Sequence, residues 1–261
     1  MEMISRVVLC QLPLGQRELT LRQKLEIIKR GGDFVCLPEY FFVPPGASDF
    51  NAYAAEYERN VEYLAGLSRD LNVTVIGGSI VMKTPHGLHN SCFVFSRGYR
   101  IGSYEKVFPT VGEMEKGISP GESFRSWKIG GIRIGVLLCA DVLHPECFDE
   151  MERQSADIIF VPTTSPYRPD DTPESKTKRD EGIFVRGAQA AKSYVVKTCA
   201  TGAIFGKRLQ GRSLIASPKG LSWNVFPESE NSSLIYSYDL DIESVRSYRR
   251  SKLIASHVFS L

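Results

Sequence analysis

Ile132-Arg133-Ile134-Gly135-Val136-Leu137-Leu138-Cys139-Ala140-Asp141 is the stretch on which the reading of this chain turns. Its apolar run has the composition of a strand buried in a sheet, and Pro145 marks the start of the next element. A thiol at the end of such a strand sits at the rim of the sheet, where a bound small molecule can reach it. Two other polar residues occupy comparable places. Glu39 ends the apolar strand Asp33-Phe34-Val35-Cys36-Leu37-Pro38, and Lys106 follows Tyr104-Glu105 beyond the strand-like Cys92-Phe93-Val94-Phe95. A thiol, a carboxylate and an amine at strand ends make a nucleophile, a base and a cation. Those are the parts needed to cleave a carbon–nitrogen bond.

Outward from this stretch, strands and helices alternate. Arg6 to Leu12 is strand-like, and Glu18 to Arg30 is a helix with Leu21, Leu25 and Ile28 on one face, stopped by Gly31-Gly32. Asn51 to Leu71 is a long amphipathic helix with the stripe Ala54, Tyr57, Val61, Leu64 and Leu67. Val73 to Val81 is a strand interrupted at Gly77-Gly78, Ser91 to Ser96 is another, and Val107 to Ser126 is irregular. Pro145 to Ser155 reads as a helix, Asp157 to Val161 as a strand, and Thr163 to Lys178 as a long Pro-rich loop. Gly182 to Lys192 is helical and leads into the strand Tyr194 to Thr198. Ser213 to Ser217 and Leu234 to Leu240 are strands joined through Pro218-Lys219-Gly220, and Asp241 to Arg250 is a short helix. The pattern is α/β, in one domain over residues 1–261, and its many strands suit two packed sheets.

Composition narrows the function. The 261 residues carry 32 basic and 30 acidic side chains, a net charge of +2, so neither nucleic acid nor an acidic membrane is an expected partner. The cysteines Cys10, Cys36, Cys92, Cys139, Cys147 and Cys199 form no Cys-x-x-Cys pair and read as reduced thiols of a cytoplasmic protein. No signal-peptide pattern opens the sequence, and no apolar stretch approaches the ~20 residues of a membrane helix. The four histidines are scattered, so no metal-ligand cluster is visible. Neither a Gly-x-Ser-x-Gly nor a phosphate-binding glycine fingerprint occurs.

A buried core cysteine is the common fate of a Cys in an apolar run, and a thiol attacks only once it is deprotonated. Glu39, followed by Tyr40-Phe41-Phe42, is a carboxylate among aromatics, where desolvation raises its pKa toward that of a useful base. Lys106 near the thiol would favour thiolate and stabilise an oxyanion. Glu113 and Glu115 can each reach back to fix Lys106. Asp141 and Glu146 read as structural, Glu146 in the first turn of a helix.

Taken together, Leu37-Pro38-Glu39, Tyr104-Glu105-Lys106 and Leu138-Cys139-Ala140-Asp141 resemble, in order, the three catalytic blocks of the nitrilase superfamily of carbon–nitrogen hydrolases. Asn90, Gly117-Ile118-Ser119-Pro120-Gly121, Gly211-Arg212-Ser213 and Pro218-Lys219-Gly220 are further echoes, and the likeness spans residues 5 to 240. The resemblance implies a four-layer α-β-β-α sandwich and a Glu-Lys-Cys triad of Glu39, Lys106 and Cys139. It also implies a second glutamate, for which Glu113 fits better than Glu115. Tyr40, Ala140, Leu143 and Thr164 are the expected substrate contacts, with the Ala140 N–H helping Lys106 hold the oxyanion. The implied reaction is hydrolysis of a small amide or carbamoyl compound through a Cys thioester, without cofactor or metal. A nitrilase, an acyl-transferring member and an idle scaffold are the rival readings.

Three departures from the family pattern stand out. Members that recognise a substrate carboxylate often carry arginine four residues after the nucleophile, where this chain has Leu143. Arg168, Lys176 and Arg186 are the alternative holders of an anion. The residue after the cysteine is the small Ala140, and a later Arg-Ala-x-Glu-Asn block is replaced by Arg186-Gly187-Ala188-Gln189-Ala190. The likeness further implies a homodimer or larger homo-oligomer, with Leu253 to Leu261, in a tail of about 241–261, and the Cys147–Met151 helix as contacts.

Overall fold

Period-two alternation in the apolar strands sends successive side chains to opposite faces and so builds three cores at once. The computed structural model describes residues 3–43 and 46–258, with side chains through residue 252. In β1 (Ile4–Pro13), Val7 and Leu9 face a core between two sheets, while Val8, Cys10 and Leu12 face an outer one. In β9 (Ile158–Thr163), Ile158 and Phe160 face the shared core, and Ile159 and Val161 face the opposite outer layer.

The first sheet is built on β1. β1 pairs with β15 (Leu234–Asp241) on one side and with β2 (Phe34–Cys36) on the other. β2 pairs in parallel with β3 (Thr74–Ile76). Beyond it, β5 (Gly87–Ser96) shares one edge between β3 and β4 (Ile80–Thr84) and gives the other to β6 (Tyr99–Glu105). The second sheet runs β7 (Ser126–Ile129), β8 (Ile132–Val136), β9, β10 (Tyr194–Thr201), β13 (Leu214–Ser217), β14 (Gly220–Asn224). A small hairpin of β11 (Ala203–Ile204) and β12 (Lys207–Arg208) stands apart. The two sheets touch where Leu12 and Pro13 pair with Ala200 and Thr201.

Helices close both outer faces. α1 (Leu21–Arg30), the short α2 (Asn51–Ala54) and α3 (Tyr57–Asp70) cover the first sheet. The one-turn α4 (Val111–Met114) belongs to a connecting loop. α5 (Glu146–Arg153) and α7 (Arg186–Ala191) cover the second sheet, reached through α6 (Pro173–Asp180), and α8 (Ile242–Val258) closes the chain. Gly135 lets α5 lie against β8, because a Cβ there would sit 2.3 Å from the Met151 sulfur. The layers are α-β-β-α, as the resemblance implied.

Several boundaries differ from the sequence reading. The stripe Leu21, Leu25, Ile28 faces solvent, and Ile27 turns inward instead, because the Thr20 capping box sets the rotation of α1. The 51–71 helix is broken at Ala55-Glu56. The Thr163–Lys178 loop contains the start of α6, capped by Thr172, and Glu181–Val185 is a π-helical turn before α7. β6 lies between the Cys92 strand and Lys106. Pro218-Lys219-Gly220 turns into β14, so β13 and β15 are not partners but lie in different sheets. Cys147, Phe148 and Met151, expected at a subunit contact, are buried in the chain's own core, so α5 exposes only its polar face. The Leu253–Leu261 side chains lie outside the described residues.

Candidate active site

The ends of β2, β6 and β8 deliver Glu39, Lys106 and Cys139 to one place. Glu39 follows β2 across Leu37-Pro38, and its approach to the neighbouring strand connection needs a glycine. Gly78 has φ +65°, and a Cβ on it would lie 2.1 Å from the Pro38 oxygen. Tyr40, next in the chain, takes a left-handed φ of 56° and donates its N–H to the Ser79 hydroxyl. Cys139 takes a φ of 44° at the start of the 3-10 turn Cys139–Leu143. Non-glycine residues in this region store about 1–3 kcal/mol of strain each. The strain at Cys139 is held by Asp141, whose carboxylate accepts from the Leu138 N–H at 2.8 Å, the Tyr104 hydroxyl at 2.7 Å and the Phe108 N–H at 2.8 Å. The same side chain thus clamps the cysteine turn to the segment carrying Lys106.

Lys106 is buried between two carboxylates. Its Nζ lies 2.9 Å from Glu39 Oε1, and 2.9 and 2.8 Å from the two oxygens of Glu113. The Asn90 amide donates to both glutamates, at 3.0 Å each. Glu113 also accepts from the Tyr40 hydroxyl and from the Thr110 N–H and hydroxyl. Glu39 Oε2 accepts from the Thr164 N–H and hydroxyl, and the Cys139 thiol donates to the Thr164 oxygen at 3.2 Å. Glu115, the other candidate for the second glutamate, makes only a helix-end backbone bond and is exposed.

These contacts separate the two carboxylates electrostatically. Burial pushes the Glu39 pKa up, Lys106 works against it, and Glu113 adds to the rise. Burial also opposes ionisation of Glu113, but Lys106 and the donors around it outweigh this and hold its pKa down. For Lys106, desolvation is overcome by Glu39, Cys139 and Glu113, so it stays protonated. Burial and Glu39 raise the Cys139 pKa and Lys106 only partly counters them, so the resting thiol is protonated.

A cavity of about 370 Å³ opens in front of the thiol. Tyr40, Ala140, Leu143 and Thr164 all line it, with Leu143 largely exposed. Phe50, Phe184 and Phe205 supply apolar wall. Of the three alternative anion holders, only Arg168 lines this cavity. Lys176 is paired with Glu230 at 2.6 Å beside a smaller pocket, and Arg186 is exposed elsewhere.

The family model for carbon–nitrogen hydrolases matches residues 6–250. The chain belongs to this family, the nitrilase superfamily. A nitrilase of Pyrococcus abyssi is 28% identical over 240 residues, covering 87% of this chain and 84% of that one. The omega-amidase NIT2 of Xenopus tropicalis is 24% identical over 254 residues, covering 91% and 87%. Among solved structures, a carbon–nitrogen hydrolase of Helicobacter pylori superposes with a TM-score of 0.82 at 20% identity, over 97% of this chain and 94% of that one. An amidase from Nesterenkonia superposes at 0.75 and 20% identity, over 97% and 95%. This carbon–nitrogen hydrolase also holds residues to which the sequence reading gave no role. Asn90 is the hub between the carboxylates, and its signal was an amide at the mouth of an apolar strand. Thr110 positions Glu113 through a Thr-x-x-Glu capping box visible in the sequence, whereas Ser79, which positions Tyr40, sits in a connection with nothing to mark it.

Proposed function

We propose that this protein hydrolyses the carbon–nitrogen bond of a small amide, with Cys139 as nucleophile and Glu39 as general base and acid. The observation that carries this is the Glu39–Lys106–Glu113 cluster beside a strained cysteine on the wall of one cavity. The resting thiol is protonated, so attack and deprotonation are concerted. The sulfur bonds to the amide carbon while its proton passes to Glu39. Lys106 and the Ala140 N–H hold the oxyanion. Glu39 returns the proton to the nitrogen, the carbon–nitrogen bond breaks, and a thioester remains. Water then attacks, losing a proton to Glu39. The thiolate departs and regains that proton, and the acid is released. A base with a raised pKa suits this double duty. Glu113, whose oxygens are taken up by Lys106, Asn90, Tyr40 and Thr110, fixes the Lys106 ammonium. A Glu-to-Gln mutant of the Nesterenkonia amidase carries the acetamide moiety of fluoroacetamide covalently on its active-site cysteine, which supports a nucleophilic role for Cys139.

Ammonia release from aliphatic amides, ω-amides, carbamoyl amines and nitriles, run beside Cys139→Ala, tests this reading. Release from an amide that vanishes in the variant is the expected result, with an acyl adduct on Cys139 by mass spectrometry. Release from nitriles alone, or release that survives in Cys139→Ala, refutes it.

A further inference from the structure

On and behind the wall of the cavity formed by β10, α6 and the π turn lies a second group of largely buried charges, and its balance is the reverse of that around Lys106. Arg179 is held by both oxygens of Asp171. Lys176 is held by Glu230 at 2.6 Å. Arg212 is held by Asp180 and by the Lys176 carbonyl. Three cations are thereby matched with three carboxylates, and a fourth remains. Lys197, on β10, is 3% exposed, lines the cavity, and reaches one oxygen of Asp180 at 3.3 Å, while Arg212 takes the other oxygen of the same carboxylate. Its ammonium also rests 4.7 Å from the Phe184 ring centre, a contact that adds attraction but no countercharge. An ammonium has three donors, and the described contacts use one of them. A buried cation without its own carboxylate is costly unless something else completes it.

Access to this wall is also cationic. Lys116, Arg168 and Lys207 line the same cavity, and none has a carboxylate partner within salt-bridge distance among the described residues. Resting on the amidase reading above, we infer that Lys197 is the seat for a carboxylate carried by the substrate. The substrate is then a short aliphatic amide with an acid group at the end away from the scissile bond. Lys197 replaces the function that Leu143, an exposed side chain without charge, cannot supply. The exposed cations guide the anion in, and Lys197 fixes it by a charge-assisted hydrogen bond. Lys197 is a specificity residue, because it touches the remote end of the substrate and not the reacting atoms.

The test compares glutaramate with valeramide, which has the same amide and chain length but no acid. In the wild-type protein kcat/KM for glutaramate exceeds that for valeramide, and in Lys197→Met this ratio falls at least tenfold. The loss appears in KM, and Lys197→Arg restores part of it. A ratio that does not change overturns the seat, as does an equal fall for both amides. Calorimetry of glutaramate with Cys139→Ala and Cys139→Ala/Lys197→Met separates this from the catalytic reading. The second protein is expected to bind at least tenfold more weakly, with circular dichroism establishing that it is folded. Equal affinity, or no binding to either protein, overturns the seat. Absence of turnover on every amide instead refutes the hydrolase assignment.

Discussion

The two charged walls of the cavity use the same residue types to opposite ends. Around Lys106, one ammonium faces two carboxylates, and the cluster carries a net negative charge. Around Lys197, one carboxylate is divided between an ammonium and a guanidinium, and the balance is positive. The first arrangement keeps a cation charged, while burial, with Glu113 adding to it against Lys106, raises the Glu39 pKa as the proposed proton transfers require. The second leaves a cation incompletely answered, so an anion has somewhere to bind. On the proposed reading, the sign of the surplus, and not the presence of lysine, separates the catalytic cluster from the recognition cluster.

The harshest way to break this comparison is to remove each lysine and measure folding as well as turnover. Lys106→Met strands Glu39 and Glu113 against each other with only the Asn90 amide between them. A loss of about 3–5 kcal/mol in urea denaturation at pH 7 is expected, the cost of leaving a buried charge unpaired. Ammonia release should fall by more than about 10³-fold. Lys197→Met leaves Asp180 still paired with Arg212, so its stability loss should be less than half as large. Equal losses would mean that the two walls are not differently balanced.

A milder change sharpens the first half of the comparison. Glu113→Gln removes a charge that raises the Glu39 pKa while leaving Lys106 free to serve Glu39 alone. Both effects lower the Glu39 pKa. The acid limb of the kcat/KM profile, set by protonation of the base, should therefore move to lower pH. Turnover should drop about 10²-fold, as expected for a group that positions a catalytic cation. A limb that disappears would show that Glu113, not Glu39, sets the protonation of the site.

Much of the first wall was legible in the sequence, and little of the second. Glu39 and Cys139 each follow an apolar strand, whereas Lys106 follows the half-exposed β6, which has no apolar pattern to announce it. The strand and helix pattern read as α/β with two packed sheets, and the α-β-β-α layering came from the family resemblance. Glu113 sat in a glycine-rich loop beside Glu115, and what separates the two is the set of bonds from Lys106, Asn90, Tyr40 and Thr110 that only the folded chain brings to Glu113. The second wall depends on where α6 begins. Thr163 to Lys178 read as loop because it is polar and Pro-rich, yet Thr172 caps a helix with Pro173 at its first position. That helix brings Asp171, Lys176, Arg179 and Asp180 toward β10. Lys197 lay inside the strand Tyr194 to Thr198 with nothing to single it out, since tertiary pairing and not local pattern decides whether a buried lysine has a partner. The exposed Leu21-Leu25-Ile28 face shows the same limit, because a helix pattern gives a stripe without saying which stripe packs inward.

The smallest effect distinguishes a satisfied pair on the second wall from its unsatisfied neighbour. The hydrogen bonds of Arg179 hold the Asp171 carboxyl down to about 2, with burial opposing and the charge of Arg179 assisting. A carboxylate with a depressed folded pKa contributes stability above its unfolded pKa of about 4 and loses it as pH falls through 2. The pair is partly exposed, with 25% of the Arg179 and 9% of the Asp171 side chain accessible, so solvent screening limits its worth. Arg179→Gln should cost about 1 kcal/mol at pH 7 in urea denaturation, with the gap to wild type closing between about pH 4 and 2. Because Arg179 is already fully engaged by Asp171, its loss should change the glutaramate to valeramide ratio far less than loss of Lys197. If the ratio falls as steeply as in Lys197→Met, recognition belongs to the summed field of the wall, and no single lysine forms the seat.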